Sequence, residues 1–194
     1  MLLVFVLSSI SAVGAFNETL FRDLLIGHYN YLRSLHDAPP LSVDESLDIA
    51  ALAWARNLAT YPNPTCLYHS RHGGENIYMR YYTYELSEET LARSAAKAFY
   101  EEISYYDYGH PGLVTRAAHF TNLVWKDVRY LGIGLVHRMF TDRHGGCNMK
   151  ASPSRPVHGY FVVIHEFPNA NIMTEREFSE NVLRPSRIFR FAKK

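Results

Sequence analysis

The sequence predicts a single domain of the α+β class. Its 194 residues are 47% hydrophobic, which is enough apolar material for one core. Patterns with helical periodicity come first and strand-like patterns come later, without the regular alternation that a parallel α/β sheet requires. The formal net charge of +1 gives no reason to expect a nucleic acid as partner.

The first fifteen residues, MLLVFVLSSISAVGA, predict a signal peptide. Residues 2–10 are mostly apolar but too few to span a bilayer, and Val13-Gly14-Ala15 resembles the site that signal peptidase cuts. A buried N-terminal strand is the alternative. No later apolar run is long enough for a transmembrane helix. We therefore expect an extracellular protein that begins at Phe16.

Asn17 has two competing interpretations. In the predicted mature chain, Asn17-Glu18-Thr19 is an exposed acceptor for N-glycosylation. Asparagine is also a preferred helix N-cap, and a helical pattern begins directly after it. Both interpretations use the same side chain, so the sequence leaves them open.

Three long segments show the spacing of apolar residues that is typical of amphipathic helices. They are residues 18–35 after Asn17, residues 43–60 with Ser42 and Glu45 in capping-box positions, and residues 88–106 after the N-cap candidate Ser87. A short helix is predicted over residues 116–124.

Two segments of the second half predict strands, because they are rich in β-branched and aromatic residues. They are LGIGLVHR (131–138) and GYFVVIHEF (159–167), and the Gly, Pro and Asn content of residues 141–158 predicts a loop between them. The tail, residues 184–194, holds five basic residues and no acidic one. It either makes a weak membrane-surface contact or is simply solvated.

Glu102 stands out in the third predicted helix. At roughly 100° per residue, Glu102 falls about 20° from Leu91, inside the apolar stripe of that helix, whereas its neighbour Glu101 falls on the solvated side. A buried carboxylate needs an ion-pair or hydrogen-bond partner. Glu102 therefore either meets such a partner or lies at the edge of the stripe and reaches water.

Histidines are the obvious partners, because the chain has ten of them. His69, in the stretch HSRHGGENIY, and His119, at the head of HFTNLVW, have the densest polar and apolar surroundings. No HExxH pair, GxSxG elbow or P-loop pattern is present. The residues alone thus give one buried glutamate and candidate partners, but no nucleophile and no function.

Six stretches resemble, in the correct order, the signatures of the CAP superfamily of cysteine-rich secretory, antigen five and pathogenesis-related class one proteins. The resemblance is closest to the Golgi-associated pathogenesis-related subgroup and covers nearly all of the chain after Ala15. The stretches are HYNYLR (28–33), CLYHSRHGGENI (66–77), FYEEISYYDY (99–108), HFTNLVWKDVRYLGIG (119–134), EFPNAN (166–171) and FSENVLRP (178–185).

This resemblance implies a three-layer α-β-α sandwich over residues 16–183, with a central cleft. The four cleft residues of the family correspond to His69, Glu75, Glu102 and His119. In family members the two histidines can bind a divalent metal such as zinc, and two imidazoles leave coordination positions open for water or ligand. The glutamates would act as second-shell partners or hold the water.

The resemblance also implies a Cys66–Cys147 disulfide, because Cys66 falls on a half-cystine position of the family and Cys147 lies in the loop where its partner would sit. Gly73 and Gly74 are expected to permit a tight turn between His69 and Glu75. Residues 78–89, YMRYYTYELSEE, look like an insertion, which is either a lip over a ligand or a packed loop.

Two departures from the family signatures affect the end of the second strand. Glu166 replaces an expected tyrosine, and Ala170 replaces an expected glycine. That end of the strand is therefore expected to be built differently from the family pattern.

Three functions follow from the resemblance. The first is a non-enzymatic binding module for a lipid or sterol. The second is a metal-dependent hydrolase or protease with a glutamate as general base, against which the absence of a nucleophile and of a zincin motif counts. The third is a protein whose surface binds an extracellular protein partner while the cleft is vestigial.

Overall fold

The structure, a computed structural model, describes residues 16–60, 68–141 and 153–186. The predicted signal peptide, Cys66, Cys147 and the last eight residues of the tail lie outside these ranges, and the disulfide prediction with them. The elements are α1 (Glu18–Ser34), β1 (Ser42–Val43), α2 (Glu45–Thr60), β2 (Glu75–Tyr82), α3 (Glu88–Tyr100), α4 (Ala118–Val124), β3 (Tyr130–Phe140), β4 (Val157–Phe167) and α5 (Glu175–Asn181). Within the described ranges, no helix has the length and apolar character needed to cross a membrane.

The strands form one sheet in the order β1-β3-β4-β2. β4 pairs antiparallel with β3 and β2, and the short β1 pairs parallel with β3. Buried residues of α2 pack on one face of this sheet, and buried residues of α1, α3 and α4 pack on the other. The α+β class and the α-β-α sandwich are therefore confirmed.

Helix α1 begins where the sequence predicts, because the Asn17 side chain accepts a hydrogen bond of 3.0 Å from the backbone N–H of Leu20. Near its end, Arg33 is completely buried. Its guanidinium donates to four backbone carbonyls, so each of its three nitrogens has an acceptor. The acceptors are Pro39, Leu123, Trp125 and Val128, at 2.8 to 3.0 Å.

Helix α2 begins differently from the prediction, because Ser42 belongs to β1 and pairs with Tyr130. Asp44 occupies the capping position instead, where its Oδ1 accepts from the backbone N–H groups of Ser46 (2.9 Å) and Leu47 (3.1 Å). The predicted capping box at Ser42 is therefore wrong.

β2 and α3 also differ from the prediction. Residues 78–82 of the supposed insertion are the second half of β2, in register with residues 158–162 of β4. Aromatic residues on both faces of β2 hide the alternation that normally identifies a strand.

Helix α3 ends at Tyr100, and a 3₁₀ turn, Glu101–Tyr105, continues the chain, so Glu102 lies on that turn.

Candidate metal-binding cleft

The first half of the cleft is built around Glu75, the first residue of β2. Its side chain is almost completely buried, and it accepts hydrogen bonds from His69 Nδ1 (2.6 Å), His165 Nε2 (2.9 Å) and the backbone N–H of Ser70 (3.0 Å). Burial would raise the pKa of Glu75, but these hydrogen bonds outweigh it and lower the pKa to about 2. Glu75 is therefore a carboxylate held by three donors.

His69 lies at the mouth of the cleft, with 62% of its side chain exposed. Its hydrogen bond to Glu75 raises the pKa of the imidazole. Because an ionised carboxylate only accepts, Nδ1 carries the proton, and Nε2 of the neutral ring has its lone pair free.

The predicted role of Gly73 and Gly74 needs correction. Neither glycine has a positive φ, and the left-handed residue of this loop is Arg71, at φ 78°. A Cβ atom at Gly73 would instead lie 2.2 Å from the Asn169 amide, and one at Gly74 would lie 2.8 Å from the carbonyl oxygen of Glu166. Gly74 therefore has no room for a side chain because the backbone of β4 lies against it, whereas a side chain at Gly73 would displace the Asn169 amide.

The second half of the cleft is the pair Glu102 and His119. Oε1 of Glu102 accepts from His119 Nδ1 (2.8 Å), and Oε2 accepts from the backbone N–H groups of His119 (3.0 Å) and Phe120 (3.3 Å). These N–H groups belong to the first turn of α4, where no helical acceptor exists for them. Of the two alternatives that its position left open, Glu102 thus meets a partner, and it orients the His119 ring while it caps the helix.

A buried asparagine connects the two halves. Asn76, which is fully buried beside Glu75, donates to the backbone carbonyl of His119 (3.0 Å), and its own oxygen accepts from Asn122 Nδ2 (3.2 Å). The start of β2 is therefore fixed relative to α4, which carries His119.

The four predicted site residues border two adjoining cavities. A smaller cavity of about 300 Å³ is lined by His69, Glu75 and His119, among others. A larger cavity of about 570 Å³ is lined by Glu102 and His119 together with side chains of β2 and α3. His119 thus stands at the junction of the two. Within the described residues no three of the predicted four bring ligand atoms within 4.8 Å of one another, so a shared metal site stays a prediction.

A different His/Glu group does converge. Glu85, His137 and His158 each offer one atom within 4.8 Å of the others, which is close enough to hold a metal ion. Sequence reasoning placed His158 in a loop and His137 on a strand, and missed their proximity. That proximity depends on the register of β3 against β4, which the local sequence does not encode.

The family model for the cysteine-rich secretory protein (CAP) family matches residues 26–163. The chain belongs to this family. Among curated relatives, Golgi-associated plant pathogenesis-related protein 1 of Homo sapiens is 29% identical over 172 residues, which are 86% of this chain and 95% of that protein. Protein PRY2 of Saccharomyces cerevisiae is 31% identical over 124 residues, which are 59% of this chain but 32% of that protein.

Solved structures of CAP proteins share the fold. NaASP2, solved with Zn²⁺, matches with a TM-score of 0.56 and 20% identity over 90% of each chain. Na-ASP-1 matches with a TM-score of 0.54 and 15% identity, over 86% of this chain and 43% of that one.

The human relative corrects one prediction. It matches over almost its whole length, and its name associates it with the Golgi, so the predicted extracellular localisation of this CAP protein is wrong. The predicted likeness to the Golgi-associated subgroup is confirmed by the same comparison.

Proposed function

We propose that this CAP protein is a non-enzymatic binding module whose cleft holds a divalent metal and whose adjoining cavity takes a small apolar molecule, such as a lipid or sterol. In place of secretion, we propose that it associates with the Golgi, as the name of its human relative suggests. One observation carries the binding proposal: His119, oriented by Glu102, lines both cavities.

The donor set of the cleft fits zinc or a similar cation. Each histidine donates a hydrogen bond from Nδ1–H to a carboxylate, His69 to Glu75 and His119 to Glu102. Such pairs fix the ring and strengthen Nε2 as a metal ligand, and two imidazoles alone leave positions open. The metal, when bound, supplies a Lewis-acidic centre at the polar end of the site.

The larger cavity has the volume of a small-molecule site, which is typically about 300 to 1,000 Å³. Its wall is about half apolar and half polar, and its charged or ionisable groups include Arg80, Glu102 and His119. The apolar lining is Ile77, Tyr78, Met79, Tyr81, Ala98 and Phe99. This mixed lining suits an amphipathic molecule, such as a fatty acid or a sterol. Two tyrosines of the supposed insertion, Tyr78 and Tyr81, thus form part of the cavity wall.

The hydrolase alternative has less support in this geometry. A metal-dependent hydrolase needs a carboxylate that can take a proton from water. Glu75 is a poor base at a pKa of about 2, and both oxygens of Glu102 already accept hydrogen bonds.

The proposal is tested by titrating the purified full chain with a fluorescent fatty acid and a fluorescent sterol. Ala98→Trp fills the cavity and should weaken binding at least about tenfold, since the apolar body loses its space. Lys97→Trp is the matched control, because Lys97 is exposed on the same helix and does not line the cavity. Equal binding by both variants, or no binding of either probe by the wild type, would contradict the lipid proposal and favour a protein partner.

A further inference from the structure

The group formed by Glu85, His137 and His158 lies at the end of the sheet away from the cleft. His137 is on β3 and His158 on β4, and the register pairs His137 with Tyr160, so both histidines are on the same face. His158 is seven residues from His165, which contacts Glu75, so the two lie roughly 23 Å apart along the strand. An ion bound by Glu85, His137 and His158 therefore does not contact the cleft around Glu75.

The atoms of the group are close enough to share one ion. One ligand atom from each of the three residues lies within 4.8 Å of the other two. His137 is the central residue, with Nε2 2.9 Å from His158 Nδ1 and Nδ1 3.7 Å from Glu85 Oε1, and one of these two nitrogens would bind the ion. Without a metal, a proton between the two rings accounts for the shorter distance. Two imidazole nitrogens and one carboxylate oxygen are also the donor set of many zinc sites, which keep a further position open.

Tyr160 holds the group in place. Its completely buried ring stacks on His137, with centroids 4.5 Å apart and planes 5° apart. Its hydroxyl accepts a hydrogen bond of 2.8 Å from the backbone N–H of Leu86, the neighbour of Glu85. One rigid side chain thus supports a histidine and the segment that carries the carboxylate. Such support is what a preorganised metal site needs.

The group is also accessible. The side chain of Glu85 is 45% exposed and that of His137 is 22% exposed, so an ion from solvent reaches it without rearrangement of the core. We propose that Glu85, His137 and His158 form a second site for a divalent transition metal such as Zn²⁺, independent of the cleft.

The test is calorimetric titration of the chelator-treated full chain with Zn²⁺. His137→Gln/His158→Gln should lose one bound ion relative to the wild type, and Glu85→Gln should weaken that site at least about tenfold. His69→Gln/His119→Gln removes the cleft histidines and should retain the second site. His110→Gln is the control for loss of a histidine, because its side chain is 90% exposed and belongs neither to the lining of the two cavities nor to the second group.

Spectroscopy excludes loss of folding as the cause. Co²⁺ added to the His69→Gln/His119→Gln variant should give visible d–d absorption. The triple variant that also carries His158→Gln should lack this absorption, while its circular dichroism spectrum stays unchanged. Zinc binding by His137→Gln/His158→Gln with wild-type stoichiometry and affinity would overturn the second site. If the His69→Gln/His119→Gln variant binds as much Zn²⁺ as the wild type, the proposed cleft metal is contradicted, but the second site is not.

Discussion

Nδ1 of His119 donates a hydrogen bond of 2.8 Å to Glu102, and the backbone N–H of His119 donates a second one of 3.0 Å to the same carboxylate. One carboxylate therefore fixes both the ring and the start of the helix that carries it. The orientation of His119, a candidate metal ligand, and the stability of the fold therefore both depend on the contacts of Glu102.

Removal of that carboxylate should destabilise the protein. Glu102→Ala leaves the N–H groups of His119 and Phe120 without an acceptor, and we expect a loss of about 1 to 3 kcal/mol in the free energy of unfolding. Urea denaturation followed by circular dichroism measures it. Glu101→Ala is the control, since Glu101 is 59% exposed and makes only a surface ion pair with Lys97; its effect should stay below about 1 kcal/mol. Equal effects of the two changes would show that Glu102 is not structural.

Glu166 should make the protein less stable as the pH rises. The residue is completely buried, and neither of its side-chain oxygens has a hydrogen-bond partner among the described residues. Burial raises its pKa from 4.5 to about 7, against the opposing charge of Arg33. Between pH 4.5 and about pH 7, Glu166 stays protonated in the folded state but is ionised in the unfolded state. This difference stabilises the folded state fully below pH 4.5, and the stabilisation is lost as the pH rises through about 7.

The expected size of this loss is about 3 kcal/mol. Urea denaturation at pH 5 and pH 8 measures it, and Glu166→Gln should reduce the difference between the two pH values, because the amide does not titrate. An unchanged difference in Glu166→Gln would mean that other groups cause the pH dependence.

Close contact between α2 and β3 gives a further prediction. A Cβ atom at Gly134 would lie 2.3 Å from the backbone carbon of Ala51, so Gly134→Ala must push α2 away from the sheet. We expect a loss of about 1 to 3 kcal/mol in the free energy of unfolding. Gly112→Ala is the control, because nothing lies within 4 Å of the Cβ position there. A thermal midpoint for Gly134→Ala no lower than that of the control would refute this packing.

The helices were predictable because their signals are local, whereas the pairing of Glu102 with His119 followed only from the family resemblance. Apolar spacing identified α1 and α2 closely. The spacing of the third helix marked Glu102 as unusual but left open whether it meets a partner or reaches water, and the structure shows the partner to be His119. The capping role of Asp44 was not predicted, since Ser42 fits the same local rule and only its pairing with Tyr130 excludes it.

Features that depend on the sheet could not be predicted. β2 has Tyr78 and Tyr82 on one face and Tyr81 on the other, so its pattern does not alternate. The approach of His137 to His158 requires the register of β3 on β4, and Glu85 joins them through a separate segment. Long-range pairing of this kind leaves no signal in a single sequence.

The central claim is that His69 and His119 hold a metal in one cleft. Anomalous diffraction at the zinc edge, from crystals of the full chain grown with Zn²⁺, tests it most directly. We predict an anomalous peak within coordination distance of Nε2 of both histidines. A peak at Glu85, His137 and His158 would report separately on the second site. Crystals with no peak between His69 and His119 would contradict the claim.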